Sequence, residues 1–237
     1  MADSMYVGMN AAAARLRDLD AVADNLANVE TPGFRAQRPV FHAVVADAVN
    51  GQVSQQVHVI AGQDGVDRRA GPAVETGSPL DIRLAADAWL AVSLEDGSTG
   101  YTRDGRLSVG HDGTLYAGAY PVKDDAGATI TVPGGAAVRI GDHGEVFVDN
   151  ERQTTLGRYE VGGQLTRIRP TVVTGTGGDV VPVDAGVEVG MRDGSSVNGV
   201  ETAVRMVQAQ RAYDEAMQAI TTARSIDTKA NELGRLR

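Results

Sequence analysis

Asp24-Asn25-Leu26-Ala27-Asn28-Val29-Glu30-Thr31-Pro32-Gly33-Phe34 is the stretch on which the reading of this chain turns. Upstream of it, Met9, Ala12, Leu16, Leu19, Ala23 and Leu26 recur at spacings of three and four, which places them on one face of a helix. Arg15, Arg17, Asp18, Asp20 and Asp24 fall largely on other faces. Pro32-Gly33 stops the helix, because proline disfavours helical geometry at the residue before it and glycine permits the turn. The stretch therefore closes a long amphipathic helix over Tyr6 to Asn28, whose near-heptad spacing and alanines suit close approach to another helix.

The other end of the chain answers it. Asn198-Gly199-Val200-Glu201 starts a second helix, with Asn198 as the cap and Glu201 reaching back. Val200, Val204 and Val207 share a face, and Tyr213, Met217 and Ile220 continue it, although Gln210 and Arg211 interrupt the seam. Ile226, Ala230 and Leu233 resume after a phase shift. A strict heptad is not kept, so curved bundle packing is expected over a simple two-stranded coil.

Between the helices the signal changes to short apolar runs broken by turns. Val40 to Val45 reads as a strand or a short helix, Gln52 to Ile60 leans towards strand, and Gln63 to Pro72 reads as a loop. Leu80, Ile82 and Leu84 alternate with Asp81 and Arg83, and Trp89-Leu90-Ala91-Val92 is a buried-strand candidate. Asp96-Gly97, Asp104-Gly105, Asp112-Gly113, Pro133-Gly134 and His143-Gly144 then punctuate the chain as turn signals, and the aspartate-glycine pairs among them suit hairpins. This spacing predicts an antiparallel β-domain, a small sandwich or an open barrel, with its last strands over Leu156 to Val161 and Leu165 to Ile168. Residues 174–194, with seven glycines or prolines that break regular elements, read as an irregular return.

Composition narrows the function. The net charge of −9 removes the attraction to phosphate on which nucleic-acid binding rests and disfavours anionic membrane surfaces. With no cysteine there are no disulfides, thiolate metal ligands or cysteine nucleophile. Apolar runs such as Ala88 to Val92 fall far short of the roughly 20 residues that span a bilayer. Met1-Ala2-Asp3-Ser4 shows no basic or apolar signal region, so export would need a route that reads no cleavable signal.

Catalytic and ligand motifs fail one by one. His42, His58, His111 and His143 are dispersed, with no helical pair of metal-ligand spacing. Gly175-Thr176-Gly177-Gly178 has valine at position 180 where a dinucleotide loop needs glycine, and no Gly-Lys-Ser/Thr follows. Asp112 and its neighbours lack the alternating oxygens of a calcium loop, and no G-x-S-x-G elbow occurs. No catalytic, cofactor-binding or metal residues are assigned, and no enzyme activity is expected.

Leu19 to Arg35 resembles the N-terminal signature of bacterial flagellar rod and hook proteins, a leucine-rich helix followed by A-x-N-[IL]-A-N-x-x-T-x-G-[FY]. Ser196 to Glu201 and Met206 to Tyr213 are similar to the family's closing helix, and Gly77 to Ile82, Tyr101 to Gly105 and Asp112 to Leu115 fit its middle. The short length, the Phe34-Arg35-Ala36-Gln37 continuation and the arginine-ended tail look most like the proximal-rod branch, with the distal rod and hook-type proteins as alternatives. Asp24 departs from the asparagine that the family often carries. The resemblance implies a structural subunit of the basal-body rod that crosses the periplasm and carries torque. Its implied partners are itself, other rod proteins and, transiently, the flagellar type III export apparatus. The rival from another class is a β-domain ligand-binding or enzymatic module that its terminal helices dimerise.

The expected fold is α+β. Residues 1–35 and 195–237 form a coiled-coil-like helical assembly domain, 36–75 a connector, 76–170 a mainly antiparallel β-domain and 171–194 a Gly/Pro-rich return. Met9, Leu16, Leu19, Leu26, Val200, Val204, Val207, Tyr213, Met217 and Ile220 are the expected assembly interface. Asn25, Asn28, Thr31, Gly33 and Phe34 are the expected turn motif, with Asn25, Asn28 and Thr31 capping the turn. A lone monomer cannot fully bury two apolar stripes, so both ends are expected to order on assembly.

Overall fold

The computed structural model describes residues 2–46, 56–61, 64–85 and 87–235. It is α+β, with one helix at each end and β-structure between. The chain divides into two compact units: Met1–Leu26, Arg38–Asp64 and Gly199–Arg237 form the first, and Ala27–Gln37 and Gly65–Asn198 the second.

The first unit holds the helices α1, Ala2–Ala27, and α2, Gly199–Arg235. Alanine supports α1, since it costs no side-chain entropy in a helix. Hydroxyls inside α2 are satisfied within the helix, as Thr221 and Thr222 donate to the carbonyls of Met217 and Gln218 at 2.9 Å. The helices meet where Gly8 lies against Ile220: a Cβ at Gly8 would stand 3.2 Å from Ile220 Cγ1. The covered face of α2 runs through Thr202, Met206, Ala209, Tyr213, Ala216, Ile220 and Ala223, an alternation of four and three over three heptads. The large aliphatics alone do not disclose this seam, because small residues occupy half of it. The same unit carries the antiparallel hairpin Phe41–Ala46 with Gln56–Ala61, so 41–46 is strand and not helix; residues 52–55 of the expected strand lie outside the described residues.

The second unit is built on a six-stranded antiparallel sheet ordered Gln164–Arg169, Val172–Thr176, Thr99–Thr102, Ala88–Ser93, Arg158–Val161, Val180–Pro182. Successive side chains of a strand point to opposite faces. Leu90, Val92 and Val172 enter the main core with Ile82, Leu115, Val146 and Leu156, whereas Trp89 and Val173 join Val161 and Leu165 in a second cluster. Burial on both faces is why Ala88 to Val92 reads as an unbroken apolar run.

One turn expectation changes, and one turn forms where no glycine marks it. Gly105 does not take positive φ in a hairpin; a Cβ there would stand 1.7 Å from the Ile82 carbonyl oxygen, so close approach of two backbones demands the glycine. The tight turn between Glu145–Val148 and Glu151–Thr155 is made instead by Asp149 (φ 50°) and Asn150 (φ 68°), the positive pair of a type I′ hairpin without glycine. Residues 174–194 are also more regular than expected. Val187–Val189 pairs with Ile82–Leu84, and Met191–Asp193 pairs with Ala73–Glu75. These strands exist through long-range pairing, which local glycine content does not report.

Candidate functional site

The turn after α1 folds into the second unit. Thr31 N–H donates to the Asn28 carbonyl and its hydroxyl to Asn28 Oδ1, both at 3.2 Å, and Phe34 N–H returns to the Thr31 carbonyl. Gly33 takes φ +68°, and a Cβ there would stand 2.3 Å from the Arg103 carbonyl. Phe34 is fully buried, with the Arg167 guanidinium 4.2 Å above its ring; Arg167 also donates to the Arg35 carbonyl.

The segment that leads into α2 lies alongside. Gly33 N–H donates to the Asp193 carbonyl at 2.9 Å, Ser196 N–H to the Phe34 carbonyl at 2.9 Å, and Ala36 N–H to Ser196 Oγ at 2.8 Å. The stretch that leaves the first helix and the stretch that enters the second are thus stitched side by side.

Asp193 is the centre of this clasp. Its side chain is 1% exposed. Arg35 Nη2 donates to Oδ2 at 2.5 Å, Arg103 Nη2 and Nε to the same oxygen at 2.9 and 3.2 Å, and Arg83 Nε to Oδ1 at 3.1 Å. Burial pushes the Asp193 carboxyl up, but Arg103 and Arg35 outweigh it and hold the group below the usual carboxylate range. Burial and the neighbouring Arg103 lower Arg35, against the pull of Asp193. Arg103 further donates to the carbonyls of Leu84, Ala85 and Ala88, which fixes the turn between two strands to the same aspartate.

This arrangement holds chain segments together; it offers no nucleophile or proton donor to a substrate. Among the described residues, no group of three or more His, Asp or Glu stands together as a metal site, and no helix is long and apolar enough to cross a membrane.

The expected assembly residues separate into two sets. Tyr213 and Ile220 lie on the covered seam of α2. Val200, Val204 and Val207 are 80%, 54% and 52% exposed, about half a turn round the helix from that seam. Met9, Leu16 and Met217 are exposed, and Leu19 and Leu26 are half-buried. Asn25 is buried and Asn28 half-buried. Sequence reasoning missed the clasp: Arg35 and Arg103 lay inside quoted motifs, but nothing local marks Asp193 as their partner.

Residues 5–35 match the family described as flagella basal body rod protein, residues 84–148 the flagellar hook protein FlgE/F/G D1 domain, and residues 189–233 the flagellar basal body rod FlgEFG protein C-terminal region. Each match contributes one member of the clasp: Arg35, Arg103 and Asp193 respectively. The chain is 32% identical to the flagellar basal-body rod protein FlgF of Salmonella typhimurium and 33% identical to that of Escherichia coli, covering 98% of each chain. It is 27% identical to the rod protein FlgG of Bacillus subtilis, over 95% of this chain and 97% of that one. The chain belongs to the flagellar basal-body rod protein family and is a structural subunit, not an enzyme. Within that family it is of the FlgF type, which it matches at higher identity than the FlgG relative.

Proposed function

We propose that this protein builds the proximal part of the rod through its terminal helices, and that the assembled rod crosses the periplasm and carries torque. The observation that carries this reading is the valine stripe Val200, Val204 and Val207, exposed on the face of α2 opposite the covered seam. A soluble subunit gains nothing from such a stripe unless a neighbour covers it. Met9 and Leu16 add a second open strip on α1.

Covering these residues stabilises each joint by about 1.5–3 kcal/mol per fully buried large side chain. Contacts between unlike faces of successive subunits give an open helical array, not a closed ring. The partners on this reading are other copies and the adjoining rod proteins, with the flagellar type III apparatus as the transient exporter. The clasp then serves as the mechanical joint: load that arrives along either helix enters the β-domain through two stitched segments.

The test is mass spectrometry of hook–basal bodies purified from the source organism and from a strain that lacks the gene. The chain in a few copies, with truncated rods in the deletion strain, supports the proposal. Its absence from intact basal bodies overturns it.

A further inference from the structure

A cleft of 410 Å³ opens in the second unit, away from the residues of the clasp; it is lined among others by Asp125, Arg152, Arg158, Tyr159, Pro182 and Asp184. The Arg158 side chain is 4% exposed. Its Nη2 donates to Asp184 Oδ1 at 3.2 Å and its Nε reaches the Leu156 carbonyl at 3.4 Å, but its Nη1 is buried with no hydrogen-bond partner. Gly144 backs the guanidinium, where a Cβ would stand 3.0 Å from Nε. The group is held in place without being fully used.

Its carboxylate partner among the described residues is a poor one. Asp184 is 86% exposed, and an ion pair with so exposed a carboxylate is weak. Arg152, also exposed, donates to Thr155 Oγ1 at 3.0 Å. A buried cation with an unused donor costs free energy that an incoming anion relieves. A guanidinium fork fits a planar carboxylate with two parallel hydrogen bonds. Beside the guanidinium, Leu156, Tyr159, Pro182 and Val183 also line the cleft. An apolar shelf next to a cationic floor suits the stem and head of an acidic side chain better than a free ion.

We propose that this cleft receives an aspartate or glutamate side chain of a neighbouring protein subunit, whose carboxylate engages Arg158 and Arg152 and displaces Asp184. That the carboxylate comes from an adjoining subunit rests on the rod assembly described above; that the cleft binds a carboxylate does not.

The full chain is titrated by NMR with N-acetyl-glutamate amide, its neutral glutamine counterpart and inorganic phosphate. The glutamate compound gives a saturable shift at the Arg158 Nε–H and at Tyr159, the glutamine compound gives none, and phosphate binds more weakly. Asp184→Asn, a surface change, tightens binding about threefold, and Arg158→Gln abolishes it. Should Arg158→Gln fail to fold, exposed Arg152→Gln weakens binding about tenfold in a folded protein. No saturable shift, phosphate binding as tight as the glutamate compound, or indifference to Asp184→Asn overturns the carboxylate site. In purified basal bodies, Arg152→Glu incorporates less than wild type; unchanged incorporation overturns the subunit as the source of the carboxylate.

Discussion

Arg35 and Asp193 stand 158 residues apart in sequence and meet at 2.5 Å, with neither side chain more than 2% exposed. An ion pair so placed cannot be judged by its attraction alone, since both charges have left water. What makes it tolerable is the company: Arg103 and Arg83 share the same carboxylate, and backbone bonds fix the segments on which Arg35 and Asp193 sit. Breaking it is costlier than its net worth.

Asp193→Asn removes the buried negative charge that three guanidiniums share. Loss of a partner from a buried pair costs about 3–5 kcal/mol. Urea denaturation of the variant and the wild type measures the difference. A loss below about 0.5 kcal/mol, the range of an ordinary surface change, contradicts a structural role for the clasp.

The clasp has an acid limit. The Asp193 carboxyl lies lower in the folded than in the unfolded chain, so its contribution is present above the unfolded value of about 3.9 and is lost as pH falls through the folded value. Asp104 has the opposite sign: burial raises it, Asp81 adds to the shift, and the Arg106 N–H with the charges of Arg106 and Arg192 opposes it. Its contribution is present at low pH and is lost as pH rises from about 3.9 through its raised value. Asp104→Asn therefore gains stability relative to wild type between pH 4 and pH 7, while Asp193→Asn flattens the fall below pH 4. Denaturant midpoints across this range read both slopes; equal pH profiles in all three proteins contradict the assignment.

Gly33→Ala tests whether the turn needs glycine for conformation or for space. At Gly97, φ is +81° and no atom lies within 4 Å of an added Cβ, so alanine there costs about 1 kcal/mol of backbone strain. At Gly33 the strain is similar, but the Cβ also meets the Arg103 carbonyl at 2.3 Å. The expected loss is at least twice that at Gly97, read by thermal unfolding. Equal losses at the two sites leave the close approach without energetic weight.

Val204→Asp and Ile220→Asp separate the two faces of α2. Val204 is 54% exposed, so its variant keeps its fold within about 0.5 kcal/mol yet fails to enter basal bodies. Ile220 is 8% exposed, and its variant loses stability in the isolated chain by about 3 kcal/mol or more through an unpaired buried charge. Leu26→Asp, at a half-buried position, abolishes incorporation while the β-domain stays folded. Motility, basal-body content and urea unfolding report the outcomes; normal rods with Val204→Asp argue against the valine stripe as a contact surface.

The helices, the turn at Pro32-Gly33, the antiparallel strands and the family were legible in the sequence, because each rests on spacing within a few residues or on a motif quoted whole. The seam of α2 was half legible. Following Val200, Val204 and Val207 finds an apolar stripe, but the covered face is the one of Thr202, Ala209 and Ala216, where small side chains permit close packing and carry little hydrophobic signal. The strands of 187–193 were not legible, since partners at Ala73–Glu75 and Ile82–Leu84 decide them and not their own composition.

By itself, the sequence determined the kinds of element, their order and the kinship of the chain, all local or motif-borne information. The tertiary structure decided which apolar face is covered, and it brought Arg35, Arg83 and Arg103 onto Asp193. A charge pair across 158 residues depends on the register of several antiparallel strands at once, and no periodicity of a single segment carries that register.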